Sequence, residues 1–297
     1  MPETPLSAGP GYVYWAEPPA RDSADVRARH EDNRRAWNEG ATHYTSELEE
    51  TIAFIHGGGS NLHPIERANL GDLRPWCSVA IHLQCASGRD TLSLWNEGVG
   101  RVVGVDISDV HIANAHLLTE AVAPVAAPGG APATWHRCDI LDTPHELDGT
   151  ADLVYTGRGA LCWLHDLDGW AAVIHRLLKP GGILHILDGH PAAWLFDPDA
   201  ETLVASGLKY FEHAEWNRGW PSSYIGDLDK PVEQHALKHE RLWPLSTIFG
   251  ALRGAGLVIK RFGEYAEDYW DSFPNLQPEF RGRIPLTFAM LARRPAS

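Results

Sequence analysis

Lysine is scarce in this chain. Five lysines stand beside 20 arginines, and 39 acidic residues outnumber both, so the formal net charge is −14. No Lys- or Arg-rich run interrupts that acidity. A nucleic-acid partner needs a basic footprint against its phosphates and is therefore not expected. Long apolar runs are missing as well. No stretch approaches the ~18 apolar residues of a membrane-spanning helix, so no membrane partner is expected. Cysteine is limited to Cys77, Cys85, Cys138 and Cys162, none in C-x-x-C spacing. That argues against a disulfide framework or a thiolate zinc site and fits a reducing cytoplasm. The opening MPETPLSAGPGYVYW lacks the basic region and apolar run of a secretory signal. The Arg-over-Lys bias, with 28 Gly and 21 Pro, is that of a GC-rich bacterial genome.

What remains is a strongly patterned chain of 297 residues, enough for one large domain. Residues 1–22 carry five prolines without periodicity and read as a loose arm. From Ala24 to about Leu48 the chain is polar but helix-compatible. Trp37, Ala41, Tyr44 and Leu48 form one narrow apolar stripe, as in a cap or lid helix. Strands follow at 78–84, 101–107, 134–140, 151–157, 183–189, 257–265 and 285–293. Helical patterns lie between most of them. The helix after 101–107 has Ser108 as its N-cap, and the helix after 151–157 stops at KPGG, residues 179–182. A loop is expected at 127–133. Alternating strands and helices imply a parallel sheet with helices on both faces. The last two strands have no helical pattern between them, so one of them runs antiparallel. Residues 191–244 fit no core element and read as an insertion over one end of the sheet, with a strand in VEQHALKHERLW.

The segment HLQCASGRDTLSL, residues 82–94, turns from strand to helix through small residues. In open α/β sheets ligands bind beyond the carboxyl ends of the strands. The backbone N–H groups of the Cys85–Gly88 turn, with the following helix dipole, suit a polar or anionic group. Asp106 ends the second strand, where a carboxylate accepts both hydroxyls of a ribose. Asp139 ends the third, where one accepts from an adenine amino group. A turn and two acids on three successive strands suit an adenosine ligand.

VAIHLQCASGRDTLSL, VVGVDIS, RCDILD, ADLVYTGRGALCWLHDL and LLKPGGILHI together closely resemble class I S-adenosylmethionine-dependent methyltransferases of the small-molecule type. The resemblance implies a Rossmann-like, doubly wound α/β fold. Its seven-stranded sheet has order 3-2-1-4-5-7-6 with strand 7 antiparallel; the chain then divides into an N-terminal arm and cap helix, residues 1–70, and a methyltransferase domain, 71–297, with the substrate-covering insertion at 191–244. It implies S-adenosylmethionine as cofactor. Gln84, Cys85, Ala86 and Gly88 would lie against the methionine part, Asp106 with Ile107 at the ribose, Asp139 with Ile140 at the adenine, and Gly157 near the methyl donor. The usual motif is an acid, an apolar residue, Gly, a small residue, Gly, any residue, Gly. Here His82 replaces the acid, Gln84 the first Gly and Ala86 the second. The methionine ammonium is left to backbone carbonyls or to the cap around His43 and Tyr44.

Methyl transfer from a sulfonium is an in-line displacement that needs alignment, exclusion of water and, for some acceptors, a base. His190 follows strand 5 at the ligand end and is the first base candidate; His165, just past strand 4, and Tyr224 are the next. His235 and His239, four apart, lack a third ligand, so no metal is expected. Trp163, Trp194, Trp216, Trp220 and Tyr269 are candidate walls for a flat apolar substrate. These features point to a methyltransferase acting on a small aromatic or heteroaromatic acceptor, an indole-type natural product among them, as a monomer or homodimer. The alternatives are a nicotinamide-dependent dehydrogenase, which CASGRD fits poorly because it is not G-x-G-x-x-G, and a non-catalytic adenosyl-ligand sensor.

Overall fold

The computed structural model describes residues 7–9, 12–123, 133–211, 213–221 and 224–296. Two strands, β1 (Ser7–Gly9) and β2 (Tyr12–Ala16), lead into helices α1 (Ser23–Ser46), α2 (Leu48–His56) and α3 (Pro64–Leu70). The main alternation then runs β3 (Val79–Leu83), α4 (Arg89–Asn96), β4 (Arg101–Asp106), α5 (Asp109–Val122), β5 (Ala133–Arg137), β6 (Ala151–Gly157), α6 (Leu167–Leu177), β7 (Leu178–Gly189). The insertion contributes β8 (Ala214–Gly219) and β9 (Lys238–Arg241), and α7 (Leu245–Gly254), β10 (Val258–Tyr265) and β11 (Thr287–Arg293) close the chain.

The large sheet has the order β10-β11-β7-β6-β3-β4-β5. Counting only its own seven strands in chain order, that is 3-2-1-4-5-7-6. β11 lies antiparallel to both β7 and β10, while the pairs from β7 to β5 are parallel. The helices between parallel strands start where capping side chains allow. Ser108 Oγ accepts the His111 N–H at 3.2 Å to open α5, and Asp166 accepts the Gly169 N–H at 2.8 Å to open α6. The KPGG segment does not simply end a helix. It lies within β7, where Leu178 pairs with Ala151 before the register shifts and Ile183 pairs with Leu153.

Each face of the sheet has its own apolar core. On one face α6 and α7 pack Trp170, Ile174, Ile248 and Leu252 over Ile81, Val103, Val154 and Ile186. On the other, Ile55, Leu70, Leu92 and Leu118 pack over Ala80, Val102 and Leu153. α2 and α3 therefore belong to this second core. Full burial of each such side chain contributes about 1.5–3 kcal/mol, which makes both layers integral to one folding unit.

Two expectations change. Residues 1–22 are not a loose arm throughout: β2 pairs antiparallel with both β1 and β8, and β8 pairs with β9. The arm completes a four-stranded sheet with the insertion, because Val13, Tyr14 and Trp15 are good strand residues once a partner is present. The strand expected near residues 232–243 is the four residues of β9. The loop expected at 127–133 falls outside the described residues except for Ala133, which begins β5.

Candidate active site

The carboxyl ends of β3, β4, β5 and β6 lie side by side under α1. The β3–α4 turn has an unusual backbone. Gln84 (φ 59°) and Ala86 (φ 47°) adopt the left-handed region beside Gly88 (φ 86°). Non-glycine residues there cost of order 1–3 kcal/mol each and cluster at functional sites. Gln84 and Ala86, which stand where the usual motif has glycines, thus hold the backbone that glycines would take more easily. Asp106 fastens it from the next strand. Its Oδ2 accepts the Ala86 N–H at 2.9 Å and its Oδ1 the Ser108 N–H at 2.8 Å. Each oxygen keeps a second lone pair. The Cys85 side chain points away from this surface into the core, and burial pushes its thiol well above the ordinary range.

Asp139, past the end of β5, accepts the Leu141 N–H at 2.9 Å with Oδ1. Its Oδ2 faces His30 Nδ1 at 2.8 Å and the Arg27 guanidinium at 2.9 Å, both on α1. Burial raises this carboxyl, but His30, Leu141 N–H and Arg27 outweigh it and hold the group below the usual carboxylate range. Ile140 is buried within the core beside α6, and Ile107 is half-buried after β4.

Three consecutive residues at the end of β6 have positive φ: Gly157 at 142°, Arg158 at 57° and Gly159 at 86°. A Cβ on Gly157 would collide with the Leu187 carbonyl oxygen, so only glycine lets the chain turn there. Asp188, in β7, fastens the loop beyond this turn. Its carboxylate accepts Gly159 N–H at 2.6 Å, Leu161 N–H at 3.0 Å and Gly189 N–H at 2.7 Å. The Tyr269 hydroxyl rests over Gly159 and Gly189.

α1 closes over these ends. Asn38 Oδ1 accepts from Ser108 Oγ at 2.8 Å and Asp109 N–H at 2.9 Å, at the start of α5. Asn33 exchanges two hydrogen bonds with the His239 backbone on β9. The Trp37 ring meets His111, Trp163 and Trp220 at centroid distances of 5.4, 5.1 and 4.8 Å. Tyr44 and Tyr224 join through their hydroxyls at 2.7 Å, and burial keeps both phenols protonated, Tyr44 being pushed up to about 12. The helix thus bridges the strand ends and the insertion.

The base candidates do not converge. His190 Nδ1 accepts the Ala192 N–H at 3.1 Å, and Nε2 therefore carries the proton that it gives Glu264 at 2.8 Å. Both ring nitrogens are engaged in the turn after β7. His165 is pushed down to about 3, chiefly by burial, and its Nε2 faces the His239 carbonyl at 3.3 Å. His239 itself pairs with Glu17 and Asp32, away from His235, and no three His, Cys, Asp or Glu side chains among the described residues are grouped to hold a metal. Of the expected walls, Trp163 and Trp220 join Trp37, while Trp194 is half-buried beyond β7. Trp216 is placed elsewhere. It stacks on Trp15 at 4.0 Å along an outer groove with Val13, Arg218 and Leu237, because it alternates with the inward Glu215 and Asn217.

Residues 81–186 match the methyltransferase domain family. That span is similar to methyltransferase domains, and the strand order around it is that of the class I methyltransferase fold. An uncharacterized methyltransferase from Synechocystis is 31% identical over 148 residues, which cover 48% of this chain and 61% of that protein. Solved methyltransferases share the fold. One from Mesorhizobium loti has TM-score 0.51 at 23% identity, covering 80% of this chain and 99% of its own. One from Methanosarcina mazei has TM-score 0.52 at 15% identity, with the same coverages of 80% and 99%. Geranyl diphosphate C-methyltransferase from Streptomyces coelicolor, solved with S-adenosyl-L-homocysteine, has TM-score 0.50 at 16% identity and covers 78% and 79%.

The donor set suits the methyltransferase cofactor. Asp106 retains an acceptor lone pair on each oxygen for the two ribose hydroxyls, and Asp139 Oδ1 retains one for an amino group. Several contributors were not singled out from sequence: His30, Asn33, Asn38, Glu66, Arg158 and Asp188. Their signal is faint, because each is a polar residue with at least one partner that lies far along the chain.

Proposed function

We propose that this methyltransferase transfers a methyl group from S-adenosylmethionine to a small, flat, largely apolar acceptor. The observation that carries this reading is the alignment of the Cys85–Gly88 turn, Asp106 and Asp139 at three neighbouring strand ends beneath α1. Bound there, the cofactor supplies an electrophilic methyl on a sulfonium. Asp106 would accept the ribose hydroxyls, and the N–H groups opening α4 would face the polar end of the ligand. α1 and the insertion exclude water from the strand ends.

The acceptor class rests on the rings. Trp37, Trp163, Trp220 and Tyr224 gather where α1 meets the insertion, and Tyr269 covers the ends of β6 and β7. Aromatic faces suit a flat substrate and stabilise positive charge developing on a methylated amine or indole. Part of this cluster is also the insertion's own small core, with Ala36 and Ile225. His190 acts in this reading as a positioning residue for the turn after β7, since its acceptor lone pair is already used. Proximity and orientation then supply most of the catalysis, and an amine acceptor enters already neutral.

Calorimetry with S-adenosylhomocysteine tests the proposal. Micromolar-range binding is expected, about −8 kcal/mol. Asp106→Ala should weaken it by about 1.5–3 kcal/mol, the worth of hydrogen bonds to a charged group. Tight NAD binding without adenosylhomocysteine binding would overturn the reading. Release of adenosylhomocysteine from S-adenosylmethionine in the presence of indole-type or other heteroaromatic acceptors tests the substrate class.

A further inference from the structure

We infer that Arg158 and Gln84 together recognise the α-amino-acid end of the cofactor, in place of the acid missing from the strand motif. The inference rests on the function proposed above. His82 occupies the place of that acid and cannot replace it. It is buried, its Nδ1 is bonded to Thr91 Oγ1 at 2.8 Å, and burial pushes it down to about 4, so it is neutral. A carboxylate reaches the same region by another route. Glu66, fully buried on α3, accepts from the Tyr155 hydroxyl at 2.5 Å, from His63 N–H at 2.6 Å and from Arg158. Three donors occupy Glu66, so it positions Arg158 and is not itself free for a ligand.

Arg158 is held firmly. Its guanidinium also donates to the Asn61 carbonyl at 2.7 Å and to Asp90 at 3.4 Å. Yet its Nε–H is buried and has no partner. Gln84 shows the complementary feature. Its Nε2 donates to the Ala160 carbonyl at 2.7 Å, which orients the amide and leaves Oε1 buried without a partner. The same bond ties Gln84 to the segment that carries Arg158, two residues earlier.

Buried polar atoms without partners are rare, and each one calls for a reason. Here one is a donor on a cation and the other an acceptor, on residues that follow adjacent strands, β3 and β6. A zwitterion supplies both missing partners: a carboxylate for Arg158 Nε–H and an ammonium for Gln84 Oε1. Glu66 and Asp90 together exceed Arg158 by one negative charge, which favours the ammonium, while the carboxylate would be met by the Arg158 Nε–H alone, its terminal nitrogens being engaged by Asn61, Glu66 and Asp90. The backbone agrees too, since both residues are held at positive φ.

The test is calorimetry with three ligands: S-adenosylhomocysteine, its decarboxylated analogue, and 5′-methylthioadenosine, which lacks the whole amino-acid end. Arg158→Gln should weaken adenosylhomocysteine about 10- to 100-fold and leave the other two within about twofold. Gln84→Gly, which accepts the left-handed backbone without strain, should weaken both amine-bearing ligands and spare methylthioadenosine. Arg158→Lys keeps the charge beside Glu66 should the glutamine variant fail to fold, and its loss should again be confined to the carboxylate-bearing ligand. Equal loss on all three ligands, or none on adenosylhomocysteine, overturns the inference. A wild-type protein that binds neither adenosylhomocysteine nor methylthioadenosine overturns the cofactor reading on which it rests.

Discussion

Replacing Asp188 sets two opposing terms against each other. Its carboxylate is almost fully buried and accepts three backbone N–H groups, from Gly159, Leu161 and Gly189. Burial pushes its carboxyl above the usual range, and the three N–H groups only partly counter this. Asp188→Ala strands three amide donors, at about 1–3 kcal/mol for each one that stays buried. Two of them lie in the loop after β6 and can turn partly toward water, so about 3–5 kcal/mol is expected. Asp188→Asn behaves differently. Its oxygen keeps the Gly159 and Gly189 bonds, and its amide group opposes the Leu161 N–H. One bond is lost, but a buried charge is removed, so the net change should stay within about 1–2 kcal/mol. The direction with pH is set by the raised carboxyl, which is held protonated more tightly in the folded state than in the unfolded chain. Its contribution therefore falls as pH rises from about 4 through the folded value, and Asp188→Asn should remove that slope. Urea unfolding, with the midpoint and slope fitted separately, measures both variants. Turnover should fall more than adenosylhomocysteine affinity in Asp188→Ala, because the loop borders Gly157 and Tyr269 and not Asp106. An alanine variant within about 1 kcal/mol of wild type, or an asparagine variant as unstable as the alanine one, would refute the clamp.

Three further outcomes are expected. Burial holds His82 near 4 and His165 and His185 near 3, against an ordinary 6.5, so each binds its proton more readily when unfolded. Their stabilising contribution is whole above about pH 6.5 and is lost as pH falls toward 4; His82 alone accounts for up to about 3 kcal/mol. A urea midpoint unchanged between pH 7 and pH 4.5 would contradict this. Amide exchange across Ser23–Ser46 should slow when adenosylhomocysteine binds, because α1 is anchored to Asp139, Ser108 and Asp109 at the strand ends proposed to hold the cofactor; unchanged exchange would remove the lid role. His190→Asn should keep turnover within about tenfold of wild type, whereas a general base would lose 10²–10⁴-fold in the same variant.

The alternation from β3 to β7, the turn at Cys85–Gly88 and the acids at 106 and 139 were all legible along the chain. Each depends on local pattern: β-branched runs, helix caps and small residues at a bend. The cap helix was only half legible. Trp37, Ala41 and Tyr44 mark its apolar stripe, but its buried face continues through Arg29, His30 and Asn33. Those polar residues read as solvent-facing until Glu17, Asp139 and the His239 backbone supply their partners. Trp216 shows the reverse case. Its size suggested a substrate wall, but strand alternation beside Glu215 turns it outward onto Trp15.

The sequence by itself determined the sheet, its strand order by resemblance, and the acids that stand at the ends of the second and third strands, because those features follow from short-range periodicity and from residue types at strand ends. Only the tertiary structure decided that β2, Tyr12–Ala16, pairs with β8, Ala214–Gly219, far along the chain, that α1 locks onto Asp139, and that Glu66 reaches Arg158 from α3. The reason is physical. A buried charge or amide is stable only with a partner, and neither spacing nor composition says where along a folded chain that partner will arrive.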